Sequence, residues 1–337
     1  MSEERQRYRG EYDDAFYWER VNRNLGWLGN SIEEQRERQS RLRDAVIGIV
    51  GTGGIGGAAA ARLVRMGALN LKLADPDHFD LTNVQRQYGA GRDTIGRNKA
   101  EVVAEQVYAL TGDVNIDVFP EGITPESAEE IMDGCDYVMD QMEFYQISNR
   151  YALHRAFRAS DRCKFMFKIP TVAHSTIVFT YTKDSMPIEE VYDVPEDAEL
   201  TPDAIHRLME RIMPEYQDFP STAMLDEWFV DNQTMPIFGA CPPLAEGVLV
   251  ERLAQEIMDL PGRTPLPVQP GYAVFDTLTW QAKLVDEAWW VKWPGLSCLS
   301  NPVPFSATTS SESSRTMIRP SSLPSLCVRR AYSATTT

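Results

Sequence analysis

Ile47–Gly57 reads IGIVGTGGIGG. A short apolar run, Ala45–Val50, stops at Gly51. Gly53, Gly54, Gly56 and Gly57 follow, then an alanine-rich helical stretch, Ala58–Met66. The order is strand, tight glycine turn, helix. Side chains in the turn would keep the backbone from approaching a phosphate, and the last glycine lets the helix pack closely on its strand. The N–H groups and the positive dipole end of the helix then face the anion. A second strand-like run, Leu69–Ala74, ends about 20 residues on at Asp75, where an acid that grips a ribose hydroxyl is expected. A turn that binds nothing does not account for five glycines among residues 51–57.

Outward from this turn, residues 45–140 keep alternating strand and helix. That predicts an α/β, Rossmann-like, mostly parallel sheet flanked by helices. Val114–Phe119 reads as a third strand and Asp136–Met139 as a fourth, ending at Asp140, with a helix at Ser127–Met132 between them. Ligands of such sheets lie beyond the carboxyl ends of the strands. Gly51, Gly53, Gly54, Gly56, Asp75 and Asp140 are therefore expected on one rim. The stretch LTNVQRQYG (81–89) has no period and reads as a loop, dense in oxyanion-binding side chains: Asn83, Gln85, Arg86 and Gln87. Thr94–Leu110 reads as a helix with Lys99 in its first turns, where the dipole disfavours a cation. That placement hints at a task for Lys99. Asp140 and Glu143 form a carboxylate pair suited to Mg²⁺ beside phosphates.

Residues 1–44 are polar, with scattered aromatics and a helix at Ser31–Leu42 capped by Ser31 and Glu34. Beyond the fourth strand, 145–160 reads as a helix, and Lys164–Ile169 and Thr176–Thr182 as strands. Residues 184–235 are acidic and contain prolines, with one helix near Pro202–Met213; they read as a crossover or lid. Leu244–Leu260 is an amphipathic helix and Tyr272–Leu278 a strand. Trp280, Trp289, Trp290 and Trp293 are expected in core or interface. The expected division is 1–44, a helical segment; 45–296, the main domain with the 184–235 insertion; and 297–337, a Ser/Thr-rich disordered tail.

The chain has 33 basic and 49 acidic residues, net −16, which argues against nucleic-acid binding by phosphate neutralisation. Apolar residues make up 43%, ordinary for a globular protein. Five scattered cysteines without a CxxC indicate neither a zinc site nor a disulfide framework. The first residues are unlike a signal peptide, and no apolar run is long enough for a membrane span, so a cytoplasmic protein is expected. His78, His154, His174 and His206 are not spaced as metal ligands.

VGTGGIGG (50–57), ADPD (74–77), LTNVQRQ (81–87), IGRNKAE (95–101) and DYVMD (136–140) together resemble the ThiF/MoeB/HesA adenylyltransferases, relatives of the ubiquitin-activating enzymes. The resemblance covers roughly residues 20–280. It implies ATP on the glycine turn, with Asp75 on the ribose. It further implies Mg²⁺ held by the acid after the fourth strand, and attack on the α-phosphate by the C-terminal carboxylate of a ubiquitin-like sulfur-carrier protein or a peptide. Arg86 and Lys99 would neutralise the phosphates and Asn83 would clamp them. Arg23, or less securely Arg20, would arrive from the partner of a homodimer. The acid normally placed as Asp is here Glu143, and no cysteine lies in 184–235 to form a thioester. A nicotinamide-dependent oxidoreductase fits the glycine turn and Asp75 equally, yet leaves Arg86 and Lys99 without a task. A non-catalytic scaffold of the same fold is the third alternative.

Overall fold

The computed structural model describes residues 6–213 and 221–292. Ten strands form one sheet: β1 Arg7–Tyr8, β2 Val46–Val50, β3 Asn70–Ala74, β4 Asn115–Phe119, β5 Tyr137–Asp140, β6 Phe165–Lys168, β7 Thr171–Val172, β8 Ser175–Tyr181, β9 Tyr272–Asp276 and β10 Gln281–Val285. Their order is β1-β4-β3-β2-β5-β6-β8-β9-β10, with β7 on β8. The five strands β4-β3-β2-β5-β6 are parallel; β1 and β7 to β10 join antiparallel. The central strand, VIGIV, is almost wholly buried, as a parallel strand covered on both faces must be. Chain order reverses between β2 and β5, which makes their carboxyl ends the switch point where such sheets open a crevice.

The helix Gly56–Met66 covers the sheet through Ala59, Ala60, Leu63 and Val64, all buried. Its alanines let it approach the helices Lys99–Thr111 and Cys241–Ile257 closely. The N-terminal segment fastens onto the far end of this helix. Tyr17 donates to the Gly67 carbonyl (3.0 Å), Asn24 and Gln39 to that of Met66 (3.0 and 2.8 Å), and Arg20 to that of Val64 (2.7 Å). Arg20 also grips Asp113 at 2.9 and 3.1 Å. A cation there complements the negative end of the helix dipole.

Several expected boundaries move. Thr94–Leu110 begins as a helix only at Lys99: Gly96 has φ +84°, and the Asn98 side chain caps the helix by accepting from Glu101 N (3.1 Å). The stretch expected as a loop at 81–89 contains a 3-10 turn, Leu81–Gln85, closed by an Asp80–Asn83 capping box that a five-residue window cannot reveal as a period. β1 and β10 were not expected, β1 because two residues carry no period. Trp280 lies at the β9–β10 turn, 80% exposed, so it is not core; Trp290 is buried. Trp293 and the tail at 297–337 fall outside the described residues.

The chain divides into two compact units, Met1–Ala198 with Ile237–Ala288, and Glu199–Pro236 with the chain from Trp289. In the second unit the helix Pro202–Ile212, capped by Thr201, buries Ile205, Leu208, Met209 and Ile212. Among the described residues no helix is long and apolar enough to cross a membrane.

Candidate nucleotide site

The glycines divide into those that make the turn and those that leave it open. A Cβ on Gly51, whose φ is +95°, would lie 2.5 Å from the Gln141 carbonyl oxygen; one on Gly56 would lie 1.9 Å from that of Gly51. These two permit the chain to fold back. At Gly53 and Gly54 the nearest atoms to such a Cβ are Gln87 Nε2 at 3.6 Å and Pro242 Cβ at 3.4 Å. There the missing side chains leave a cradle at a helix N-terminus, which suits phosphate.

Asp75 ties β3 to this turn. Its Oδ2 accepts from Thr52 N (2.6 Å) and Thr52 Oγ1 (3.2 Å), and its Oδ1 from Asp77 N (2.9 Å). Burial pushes the Asp75 carboxyl above its ordinary value, against the opposing charge of Lys99. Lys99 is the first residue of its helix and is itself buried; its Nζ meets Asp77 Oδ2 at 3.0 Å, and that carboxylate is half exposed. Arg86 ends the 3-10 turn, with Nη1 donating to the Thr82 carbonyl (3.2 Å) and Cγ 3.7 Å from where a Gly54 Cβ would stand. Among the described residues it has no carboxylate partner. The two cations thus sit on one rim, Arg86 at the glycine cradle and Lys99 at the end of β3.

Two residues expected at the ligand are engaged inside the protein. Asn83, expected as a phosphate clamp, is buried and spends its amide on the capping box, donating to Asp80 Oδ2 (3.1 Å) and accepting from Asp80 N (3.3 Å). Asp140, expected to face nucleotide and metal, has no exposed surface. Arg150 donates to both its oxygens, at 2.8 and 3.2 Å, and His154 Nε2 lies 3.3 Å away. Burial works against the Asp140 charge, but Arg150 and then Lys168 hold its carboxyl well below the carboxylate range. Both lone-pair faces are therefore used inside the protein, and Asp140 with Glu143 does not make a metal-binding pair. Glu143 itself is exposed.

Sequence reading missed Arg150, Lys168 and Tyr145. Lys168 ends β6; burial, then the charge of Arg150, pulls it down to about 7. Tyr145 is pushed up to about 12 by burial, then by Glu143, Asp77 and Asp75. Arg150 carried a signal: like Lys99, it is a cation in the first turns of a helix, Ile147–Ala159, against the dipole. Two orphaned groups also border the turn. Gln87 Oε1 and Gln141 Nε2 are buried without partners, on side chains beside Gly53 and Gly51. Arg23 lies exposed at the far end of the Gly56–Met66 helix, about 16 Å along it from the cradle.

A family model described as ThiF family matches residues 22–204, more than half of the chain. The chain belongs to the ThiF family. The ThiF resemblance expected from the glycine turn and the 81–101 motifs is borne out. The chain is 35% identical over 105 residues to the tRNA threonylcarbamoyladenosine dehydratase of Haemophilus influenzae, covering 31% of this chain and 40% of that one. It is 32% identical to the ThiS sulfur-carrier adenylyltransferase of Escherichia coli, covering 30% and 41%. These matches span less than half of either relative's length. The structure of Escherichia coli MccB with ATP superposes with a TM-score of 0.57 at 15% identity, covering 83% of this chain and 74% of that one, and it shares the fold.

Proposed function

We propose that this ThiF-family chain is an ATP-dependent adenylyltransferase. A carboxylate oxygen of the substrate bonds to the α-phosphorus, the bond to the bridging oxygen breaks, and pyrophosphate departs with its electron pair, leaving an acyl-adenylate. Charge grows on the α-phosphate and the leaving group, so fixed cations lower the barrier. One observation carries this reading: Arg86 stands beside Gly54 of the cradle, and Lys99, thirteen positions on, pairs with Asp77 next to Asp75, which accepts from Thr52 of the same turn. A dinucleotide enzyme gives these cations no task. Asp75, already accepting from the turn, is the residue for the ribose. The orphaned Gln87 and Gln141 amides supply further polar contacts once side chains shift to meet a ligand.

The substrate class supported by the ThiS relative is the C-terminal carboxylate of a ubiquitin-like sulfur carrier or of a peptide. A tRNA-borne substrate, as the dehydratase name would suggest, is disfavoured by the net charge of −16. Arg23 cannot serve the cradle of its own chain, since it lies one helix length away, and its exposure suits delivery to a second copy in a homodimer. Mg²⁺ would come with the nucleotide and find Glu143 as its exposed carboxylate. ATP–pyrophosphate exchange by the purified protein tests the proposal. Arg86→Ala and Lys99→Met are each expected to lower exchange about 10²–10³-fold. Exchange that survives both changes sinks it, and tight NADH binding without ATP binding would favour the oxidoreductase.

A further inference from the structure

A cavity of about 440 Å³ lies at the other end of the parallel strands from the glycine cradle. Phe165 and Phe167 of β6 line it, with Leu266 and Val268 from the segment leading into β9. The cradle lies past the last residue of β2, whereas Phe165 is the first residue of β6, level with Tyr137 at the start of β5. The helix Cys241–Ile257 spans the separation. Its Pro242 packs beside Gly54, and Arg252, ten residues on, lines the cavity about 15 Å along the axis.

The charged side of the cavity is built on Glu256, in the last turn of that helix, where the dipole opposes an acid. Two guanidiniums hold it there: Arg252 Nη2 donates to Oε1, and Arg263 Nε to Oε2 at 3.0 Å. Arg263 spends Nη1 on the Leu260 carbonyl (2.6 Å) and on Asp259, an exposed acid, at 2.9 Å. Arg252 keeps a donor in reserve. Its Nε is buried without a partner among the described residues, and so is Oγ1 of Thr180, a residue 3% exposed that also lines the cavity. A charged donor left unpaired away from water is costly and calls for an acceptor. Both atoms are on lining side chains, so side-chain rotation presents them to an entering oxygen. A largely apolar cavity of this size, with a few polar groups on one side, has the form of a small-molecule site.

We propose that this cavity binds a small carboxylic acid with an aromatic or branched apolar body. Its carboxylate accepts from Arg252 Nε and the Thr180 hydroxyl, and its body lies among Phe165, Phe167, Leu266 and Val268. A basic ligand is disfavoured, because Glu256 already serves two guanidiniums. The adenylation reading is not needed for this site, which stands or falls without it.

The probe is 4-phenylbutyrate, with 4-phenylbutanamide as its uncharged counterpart, titrated into the full chain carrying ¹³C-labelled Leu and Val methyl groups. The acid should move the Leu266 and Val268 signals, assigned by their loss in Leu266→Met and Val268→Ile, and bind about 10-fold or more tightly than the amide. No shift at these two residues, or equal binding of acid and amide, overturns the proposal. Saturating ATP should leave the titration unchanged; displacement by ATP would put the probe at the cradle and overturn it. Arg252→Met should weaken the acid about 10-fold and the amide less than about 2-fold. Equal weakening of both removes Arg252 as the partner of the carboxylate. If Arg252→Met does not fold, the comparison of acid and amide in the unmodified protein decides. Thr180→Val should weaken the acid about 3-fold, yet leave Tm without the probe unchanged or higher, since it deletes an unsatisfied hydroxyl. A lower Tm with unchanged binding makes that hydroxyl structural and removes it from the site.

Discussion

At the end of β3, Asp75 accepts from the Thr52 N–H and O–H and the Asp77 N–H, while Lys99 pairs with Asp77, whose side chain is 48% exposed. At the end of β5, on the same rim, Asp140 is wholly enclosed and bound by a guanidinium. The first arrangement keeps a cation within reach of a ligand. The second consumes both charges internally. One carboxylate type at equivalent strand ends is therefore tied to a glycine turn in one place and locked in a buried ion pair in the other, and what separates them is how completely each cation's donors are used.

The comparison breaks first on stability. Arg150→Met leaves a buried carboxylate unpaired and should cost about 3–5 kcal/mol in urea denaturation. Lys99→Met removes a pair whose acid is half in water and should cost about 1 kcal/mol or less. Equal losses would mean that the two strand ends are not distinct. A smaller effect concerns Lys168, pulled down to about 7 chiefly by burial. Between about 7 and its unfolded value near 10.4, the unfolded chain holds a proton that the folded chain lacks. The stability difference between the unmodified protein and Lys168→Met should therefore shift in favour of the unmodified protein as pH rises over that window, by an amount on the order of a few kcal/mol. The smallest effect is a contrast of slopes in acid. The Asp140 carboxyl is depressed by folding, so the destabilisation caused by Asp140→Asn should grow as pH rises from about 3 to 6. The Asp75 carboxyl is raised by burial, so the folded state holds the extra proton, and the penalty of Asp75→Asn should shrink over the same range. Parallel slopes would erase the distinction.

Much of this molecule was legible from local pattern. The run VIGIV, five glycines, alanines at helical spacing and an acid at the next strand end all act over short distances, so they announced the parallel sheet, the cradle and Asp75. Ser31 capped its helix as expected, its hydroxyl accepting from Glu34 N at 3.2 Å. Asn83 also closes a turn, which local pattern did not show, because an amide that can clamp a phosphate can equally cap and only the 3-10 geometry reveals the cap.

Sequence by itself determined the strand-turn-helix, the order of strands and helices from β2 through β5 and the presence of Arg86 and Lys99 near one loop, because backbone sterics and hydrophobic period are properties of neighbouring residues. Tertiary structure alone decided that Arg150 would spend its charge on Asp140, that Arg20 would cap a helix, and that Glu143 would face outward. Those outcomes depend on which groups are removed from water together, and desolvation is set by packing between segments far apart in the chain.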